Sequence, residues 1–162
     1  RLDVLFLNAA AFGSLSPVTH ITEEEWNETF AVNLTSNIIF LKLFEPYLKK
    51  TNQSQVLIST SEIINQKKPF WGLYSASKAA LEQIAYSYAK EIQNTNIKVN
   101  LIDPGTVNTK LRLKAYPGED KQKITQPSDL SDFFEDILFN DKFTNGELIR
   151  YADWLGSSKS VN

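Results

Sequence analysis

There is no cysteine among the 162 residues, which excludes disulfides, thiolate nucleophiles and Cys-bound zinc. His20 is the only histidine. A histidine-rich metal site cannot be built from it, and a Ser–His pair would have to use that one residue. No apolar run approaches the roughly 20 residues that span a bilayer. No signal-peptide pattern is visible either. An excess of one charge is also lacking: 17 Lys and Arg against 19 Asp and Glu leave a net charge of −2, with no global attraction to nucleic acid or an anionic membrane. These absences lead us to expect a cytoplasmic protein with no bound metal and neither nucleic acid nor membrane as a partner. What is present is ordinary for one globular domain with a real core: 42% hydrophobic and 22% charged residues. The chain opens on Arg1 and passes at once into the apolar run Leu2 to Leu7. That reads as the middle of a domain, with an N-terminal part upstream and any targeting signal out of view.

Leu2 to Leu7 has the continuous apolar character of a strand buried on both faces of a parallel sheet. Thr22-Glu-Glu-Glu25 is a capping box that starts a helix, and its acids suit the positive end of the helix dipole. Trp26, Phe30, Leu34 and Ile38 recur at helical spacing, and the pattern runs on to about Lys50. One helix of that length calls for a break near Asn33 to Ser36, and Pro46 should disturb its last turn. Gln55 to Ser61 reads as a second strand, Tyr74 to Gln93 as a helix, and Ile97 to Ile102 as a third strand closed by Asp103-Pro-Gly105. Thr106 to Gln126 reads as a long polar loop with a short helix, Pro127 to Phe139 as a helix with Pro in its first turn, and Gly146 to Tyr151 as a last strand. The alternation β-α-β-α-β-α-β predicts an α/β fold, a Rossmann-like doubly wound parallel sheet with helices on both faces. We expect residues 1–156 to be the C-terminal portion of one dinucleotide-binding catalytic domain, and residues 157–162 to be a tail. Asn8, Ser61 and Pro104-Gly105 each fall just past a strand end, so they belong to one crevice at the carboxyl edge of the sheet.

Within that crevice one trio can move a proton at a carbonyl oxygen. A phenol has an ordinary pKa near 10 and is a poor acid or base at neutral pH unless tuned. A lysine four residues on shares its helix face and lowers that pKa by its charge. Tyr74 and Lys78 have this spacing, and Ser61 at the preceding strand end can hydrogen-bond the same oxygen. A hydride would have to come from a cofactor. Tyr86 and Lys90 repeat the spacing, but about three turns further down the helix, where packing is the simpler reading. From spacing alone, Tyr74 can also be an aromatic at a helix start. Lys67-Lys68 and Lys110, Arg112 and Lys114 read as solvated faces, His20 as a loop residue, and Trp71 as packing that can border a pocket.

Taken together, five segments in order resemble the short-chain dehydrogenase/reductase family: Asp3-Val-Leu-Phe-Leu-Asn8-Ala-Ala10, Ala31-Val-Asn33-Leu, Ser61 thirteen residues before the tyrosine, Tyr74-Ser-Ala-Ser-Lys78, and Pro104-Gly-Thr-Val-Asn-Thr109. Phe70-Trp-Gly-Leu-Tyr and the run from Asp103 to Leu130 are most similar to the small bacterial oxidoreductases of the YciK type. The resemblance implies NAD or NADP as cofactor and a small-molecule carbonyl or alcohol as substrate. It implies Tyr74 as general acid or base, Lys78 as tuner of the phenol and ligand of the nicotinamide ribose, Ser61 as orienter of the substrate oxygen, and Asn33 as support for a water beside Lys78. Asn8 and Ala9 would line the adenine-ribose side, Pro104, Gly105 and Val107 would flank the nicotinamide, and Thr109 would lie near its amide or the phosphates. It also implies a homodimer or homotetramer through helices 35–50 and 74–93.

The sequence departs from the family pattern in several places. Leu7 and Ala10 replace an Asn and a Gly, Glu62 to Asn65 replaces a small loop, and Asp103 before Pro-Gly is atypical. No glycine-rich phosphate loop occurs among the 162 residues. These departures leave a second expectation open, a catalytically silent, dinucleotide-sensing or regulatory relative. We also expect these 162 residues alone to be unstable as a monomer and inactive.

Overall fold

The computed structural model describes residues 1–140 and 142–159. Four strands, β1 (Val4–Leu7), β2 (Ser54–Ser59), β3 (Ile97–Asp103) and β4 (Leu148–Arg150), form one parallel sheet in the order β1-β2-β3-β4. The helices are α1 (Glu23–Phe30), α2 (Ser36–Leu48), α3 (Ile63–Gln66), α4 (Gly72–Glu91), α5 (Lys110–Ala115), α6 (Ser131–Phe139) and α7 (Tyr151–Lys159).

The side-chain period of two divides each strand between two cores. Val56, Ile58, Val99 and Leu101 pack with Leu41 and Leu48 of α2 and with Leu81, Ala85 and Tyr88 of α4. Leu57, Ile102 and Ile149 pack on the opposite face with Phe133 and Ile137 of α6 and Tyr151 of α7. The expected α/β sheet with helices on both faces is therefore present. The strands add in one direction, yet α2 and α4 lie on one face and α6 on the other. The β3–β4 crossover consequently has the opposite hand to the two before it, a departure from the usual uniform right hand.

The start of α1 follows from the capping box: Glu25 N–H donates to Thr22 Oγ1 at 3.2 Å, and Thr22 N–H donates to Glu25 Oε2 at 3.3 Å. The break expected near Asn33 is a π-helical turn over Ala31–Thr35, joining α1 to α2. Two side chains help satisfy its carbonyls: Ser36 Oγ donates to the Val32 oxygen at 2.7 Å and Asn37 Nδ2 to the Asn33 oxygen at 2.8 Å. α2 then runs through Pro46 to Leu48.

Three expectations need correction. The last strand covers only Leu148–Arg150, because just three residues pair with β3, and Tyr151 opens α7 instead. α7 continues to Lys159, so residues 157–159 are helical where a tail was expected. The helix is anchored by Tyr151 and Trp154, whose rings stack at 5.9 Å, and by Trp154 Nε1 donating to Asp136 at 2.8 Å. The remaining tail residues, 160–162, lie outside the described residues. Finally, the loop after β2 contains α3, too short a helix to leave a period in the sequence.

Candidate active site

Parallel strands end together, so the segments after β1, β2 and β3 meet at one edge of the sheet. There they enclose a cleft of about 470 Å³. Its lining includes Asn8 and Ala9 from the end of β1, Ser61 after β2, Tyr74 and Lys78 from the first turns of α4, and Pro104, Gly105, Val107 and Thr109 after β3. Of the catalytic and cofactor-binding candidates named from sequence, only Asn33 stays out of the lining.

Asn33 is wholly buried in the π turn. Its Oδ1 accepts the Ala11 N–H at 2.7 Å, and its Nδ2 donates to the Ala11 carbonyl at 2.9 Å and to Ser77 Oγ at 2.8 Å. Ser77 Oγ in turn donates to the Tyr74 carbonyl at 2.8 Å. Asn33 thus ties the segment after β1 to the turn of α4 that carries Tyr74 and Lys78. It ties these segments together from outside the cleft lining.

Tyr74 enters α4 against an aromatic wall. Its ring lies 5.8 Å from Phe12 and 6.0 Å from Trp71, and Trp71 stacks on Tyr116 at 5.8 Å. The Tyr74 hydroxyl makes no described hydrogen bond to protein, which leaves it to the cleft. Burial, and then the charge of Asp103, push this phenol up to about 12. The four-residue spacing predicts the opposite, a phenol lowered by Lys78. The difference is physical: removal from water disfavours the phenolate, and the ammonium is engaged elsewhere. Lys78 is 2% exposed and donates to the Ser59 carbonyl at 2.8 Å. Burial holds its ammonium down at about 8. Ser61 Oγ accepts a long bond from Ile63 N–H at 3.4 Å and keeps its own proton for the cleft.

The basic residues are less free than solvated faces would be. Arg112 stacks 3.9 Å over the Tyr116 ring and grips Glu119 with two bonds of 2.6 Å. Lys68 donates to Tyr116 Oη at 3.0 Å, and Lys114 donates to the Gly13 carbonyl at 2.8 Å. Lys68, Arg112 and Trp71 all line the cleft, as does the exposed Glu62. His20 lies exposed in a 3-10 turn outside it. Thr109 Oγ1 caps α5 by accepting Arg112 N–H at 3.1 Å, and its own proton remains available. The contribution of Asp103 was not readable beyond its unusual place before Pro104. It is a buried acid in the cleft wall whose Oδ1 accepts Gly105 N–H at 2.9 Å.

The site has the right character on one side for a dinucleotide. Gly105 has φ +72°, and a Cβ built on it meets no protein atom within 4 Å, so the turn leaves open space beside the cleft. Lys78, Thr109 and Ser61 supply donors around that space. The six glycines, Gly13, Gly72, Gly105, Gly118, Gly146 and Gly156, form no cluster in the sequence, so no glycine-rich loop in this chain would hold a pyrophosphate. No group of three or more His, Cys, Asp or Glu able to hold a metal occurs among the described residues.

A parallel α/β sheet carrying a Ser, Tyr and Lys set at its carboxyl edge defines a Rossmann-like class of protein. The chain belongs to the short chain dehydrogenase family, whose model matches residues 1–120. It is 30% identical over 141 residues to the uncharacterized oxidoreductase YciK of Escherichia coli K12, covering 87% of this chain and 56% of that protein. It therefore spans little more than half the length of that relative. Among solved structures, a short chain dehydrogenase from Salmonella enterica serovar Typhi superposes with a TM-score of 0.88 at 28% identity, covering 93% of this chain and 62% of that one. A short chain dehydrogenase from Escherichia coli CFT073, in complex with NADPH, gives a TM-score of 0.87 at 28% identity, with the same coverage.

Proposed function

We propose that this chain carries the catalytic centre of an NAD(P)-dependent oxidoreductase acting on a carbonyl/alcohol pair. The observation that carries the reading is the convergence of Ser61, Tyr74 and Lys78 on one cleft, with no described hydrogen bond on the Tyr74 hydroxyl and Lys78 buried in the same wall. The NADPH bound by the Escherichia coli CFT073 relative supports the choice of cofactor. When bound, the nicotinamide supplies or accepts the hydride, which no side chain can do. Lys78, Pro104, Gly105, Val107 and Thr109 are the residues that would hold its nicotinamide half, and Asn8 and Ala9 would border its adenosine half.

In the direction of reduction, Ser61 Oγ donates a hydrogen bond to the substrate carbonyl oxygen and polarises it. Tyr74 Oη gives its proton to the same oxygen as the carbon gains hydride, so the product leaves as the alcohol. A phenol at about 12 is protonated throughout the neutral range and ready as a donor. The phenolate left behind regains its proton from solvent through the cleft, and Lys78, held on the Ser59 carbonyl, would bind the nicotinamide ribose. Oxidation runs the same steps backwards. The aromatic wall of Phe12, Trp71 and Tyr116 excludes water from the phenol and offers an apolar surface to the substrate.

Two further parts of the reading concern the whole protein. Ile38, Ile39, Leu43 and Tyr47 of α2 and Ile84 of α4 are exposed, and they support a homodimer or homotetramer built through these two helices. A cytoplasmic location is part of the same reading, and fractionation of cells carrying the tagged full-length protein tests it.

Tyr74→Phe in the full-length protein tests the mechanism. Loss of the phenol proton should lower turnover on a confirmed substrate by about a thousandfold, with cofactor binding retained. Turnover near that of the wild type would show that Tyr74 is not the acid. Cofactor binding without hydride transfer, across a broad panel of carbonyls and alcohols, would favour a dinucleotide-sensing relative instead.

A further inference from the structure

Two acids line the cleft, the exposed Glu62 and the buried Asp103, and the proton transfer described above uses neither. Asp103 ends β3 at 5% exposure. Its Oδ1 accepts Gly105 N–H at 2.9 Å and so holds the turn in which Gly105 has φ +72°. A neutral Asn or Ser makes the same kind of bond, so the turn alone does not explain a charge there. Burial of an unpaired carboxylate is costly. No described ion pair relieves it: Arg150, its register partner on β4, pairs with Asp153 at 3.7 Å, and Lys78 donates to the Ser59 carbonyl. The second carboxylate oxygen accepts no described hydrogen bond.

We propose that Asp103 sets the charge balance of the site: its negative charge, in the same cleft wall as Tyr74 and at the base of the Pro104–Gly105 turn, favours the protonated phenol and the positively charged, oxidised form of a nicotinamide. This rests on the oxidoreductase reading above. Oxidation of the cofactor creates a positive charge on its ring, and departure of the phenol proton creates a negative one on Tyr74. A carboxylate stabilises the first and opposes the second. The charge of Asp103 indeed acts on the phenol in the same sense as burial. The overall equilibrium of the reaction is untouched. What shifts is the balance between bound states and the cofactor form that the protein prefers. Asp103 acts through Tyr74 and the cofactor and is a positioning residue. The other charged groups of the cleft are Lys78 on α4, Arg112 on α5, and Glu62 and Lys68 after β2, with Arg150 the register partner of Asp103 on β4, and none of them is altered in the test.

The experiment uses Asp103→Asn in the full-length protein, which keeps an oxygen for Gly105 N–H and removes only the charge. Asp103→Ser, which keeps a shorter acceptor, replaces it if the first variant does not fold. The first readout is the ratio of dissociation constants for NADP+ and NADPH, or for NAD+ and NADH if that pair binds. It should rise about fivefold as the oxidised form loses its partner charge. The second is the ultraviolet titration of the Tyr74 phenol in cofactor-free protein, taken as a difference against Tyr74→Phe. It should move down by about one pH unit. Either readout unchanged overturns the proposal. Neither depends on turnover, so the proposal can fail while Tyr74→Phe still abolishes activity. A protein that binds neither cofactor pair overturns the oxidoreductase reading, and this one with it.

Discussion

Lys78 is only 2% exposed, and its ammonium has a single described partner, the Ser59 carbonyl. Burial holds its pKa at about 8, against 10.5 for an ordinary lysine. Below pH 8 both folded and unfolded states carry the proton, and stability does not depend on this group. Between about 8 and 10.5 the unfolded chain binds the proton and the folded one does not, so stability rises with pH. Wild type should therefore gain on the order of 3 kcal/mol relative to Lys78→Met over that window, measured by urea denaturation at a series of pH values. Parallel curves for the two proteins would show that the ammonium is not desolvated in the fold. Asn33 makes a different prediction. Asn33→Ala strands the Ala11 N–H and carbonyl and one partner of Ser77, and should cost about 3 kcal/mol in the denaturation free energy. The residues of the site were legible at this scale because a helix turn fixes which side chains share a face. Their protonation was not. The spacing of Tyr74 and Lys78 tells that they are near, but only burial decides that the phenol rises and the ammonium falls. Asp103 was visible only as an anomaly, since its effect depends on α4 lying against the end of β3.

The elements that position the site are held by close approaches. Gly13, in the segment after β1, has φ +70°, and a Cβ built there lies 2.9 Å from Leu73 Cδ2 of α4 and 3.0 Å from Thr29 Oγ1 of α1. Both neighbours belong to helices packed in the core, with Leu73 at 1% and Thr29 at 1% exposure, so neither can give way cheaply. Gly13→Ala combines backbone strain with overpacking and should cost about 2 to 3 kcal/mol in a thermal or urea melt. A variant as stable as the wild type would mean that the two helices can separate. The π turn makes the neighbouring junction. Its place was readable, because an uninterrupted period from Trp26 to Lys50 is too long for one globular helix and polar residues interrupt it at Asn33 to Ser36. Its type was not, since the extra backbone atoms in the turn are settled by the bonds of Ser36 and Asn37 to carbonyls. α3 escaped for the related reason that a segment of four residues carries no period at all, and β4, expected over Gly146 to Tyr151, was placed but not bounded.

At the scale of the molecule, two apolar surfaces remain open. On one, Ile38, Ile39, Leu43 and Tyr47 of α2 are exposed, and Ile38 shares a groove with Ile84 of α4. Leu43 is 56% exposed, so a charge there has little to disturb in the monomer. Leu43→Glu in the full-length protein should lower the sedimenting mass by half or more at micromolar concentration while leaving the melting temperature of the separated subunit near its own baseline. An unchanged mass would remove these helices as the interface. The other surface belongs to β1, which among the described residues pairs only with β2, so its second edge has no described strand partner. Val4 and Phe6 on that strand are 38% and 41% exposed, although Phe6 touches Phe134 at 5.2 Å. An open apolar edge of this kind recruits other chains. The same edge borders Asn8 and Ala9, where an adenosine would lie, and the scattered glycines of this chain make no loop for a pyrophosphate. Residues 1–162 alone should therefore associate at micromolar concentration in light scattering and show no micromolar affinity for NADH or NADPH by fluorescence titration. The full-length protein should remain dispersed and bind. Tight binding by the shorter chain would mean that Lys78, Thr109 and the Gly105 turn hold the cofactor without the phosphate contacts, and would move the main source of affinity to the nicotinamide side of the cleft.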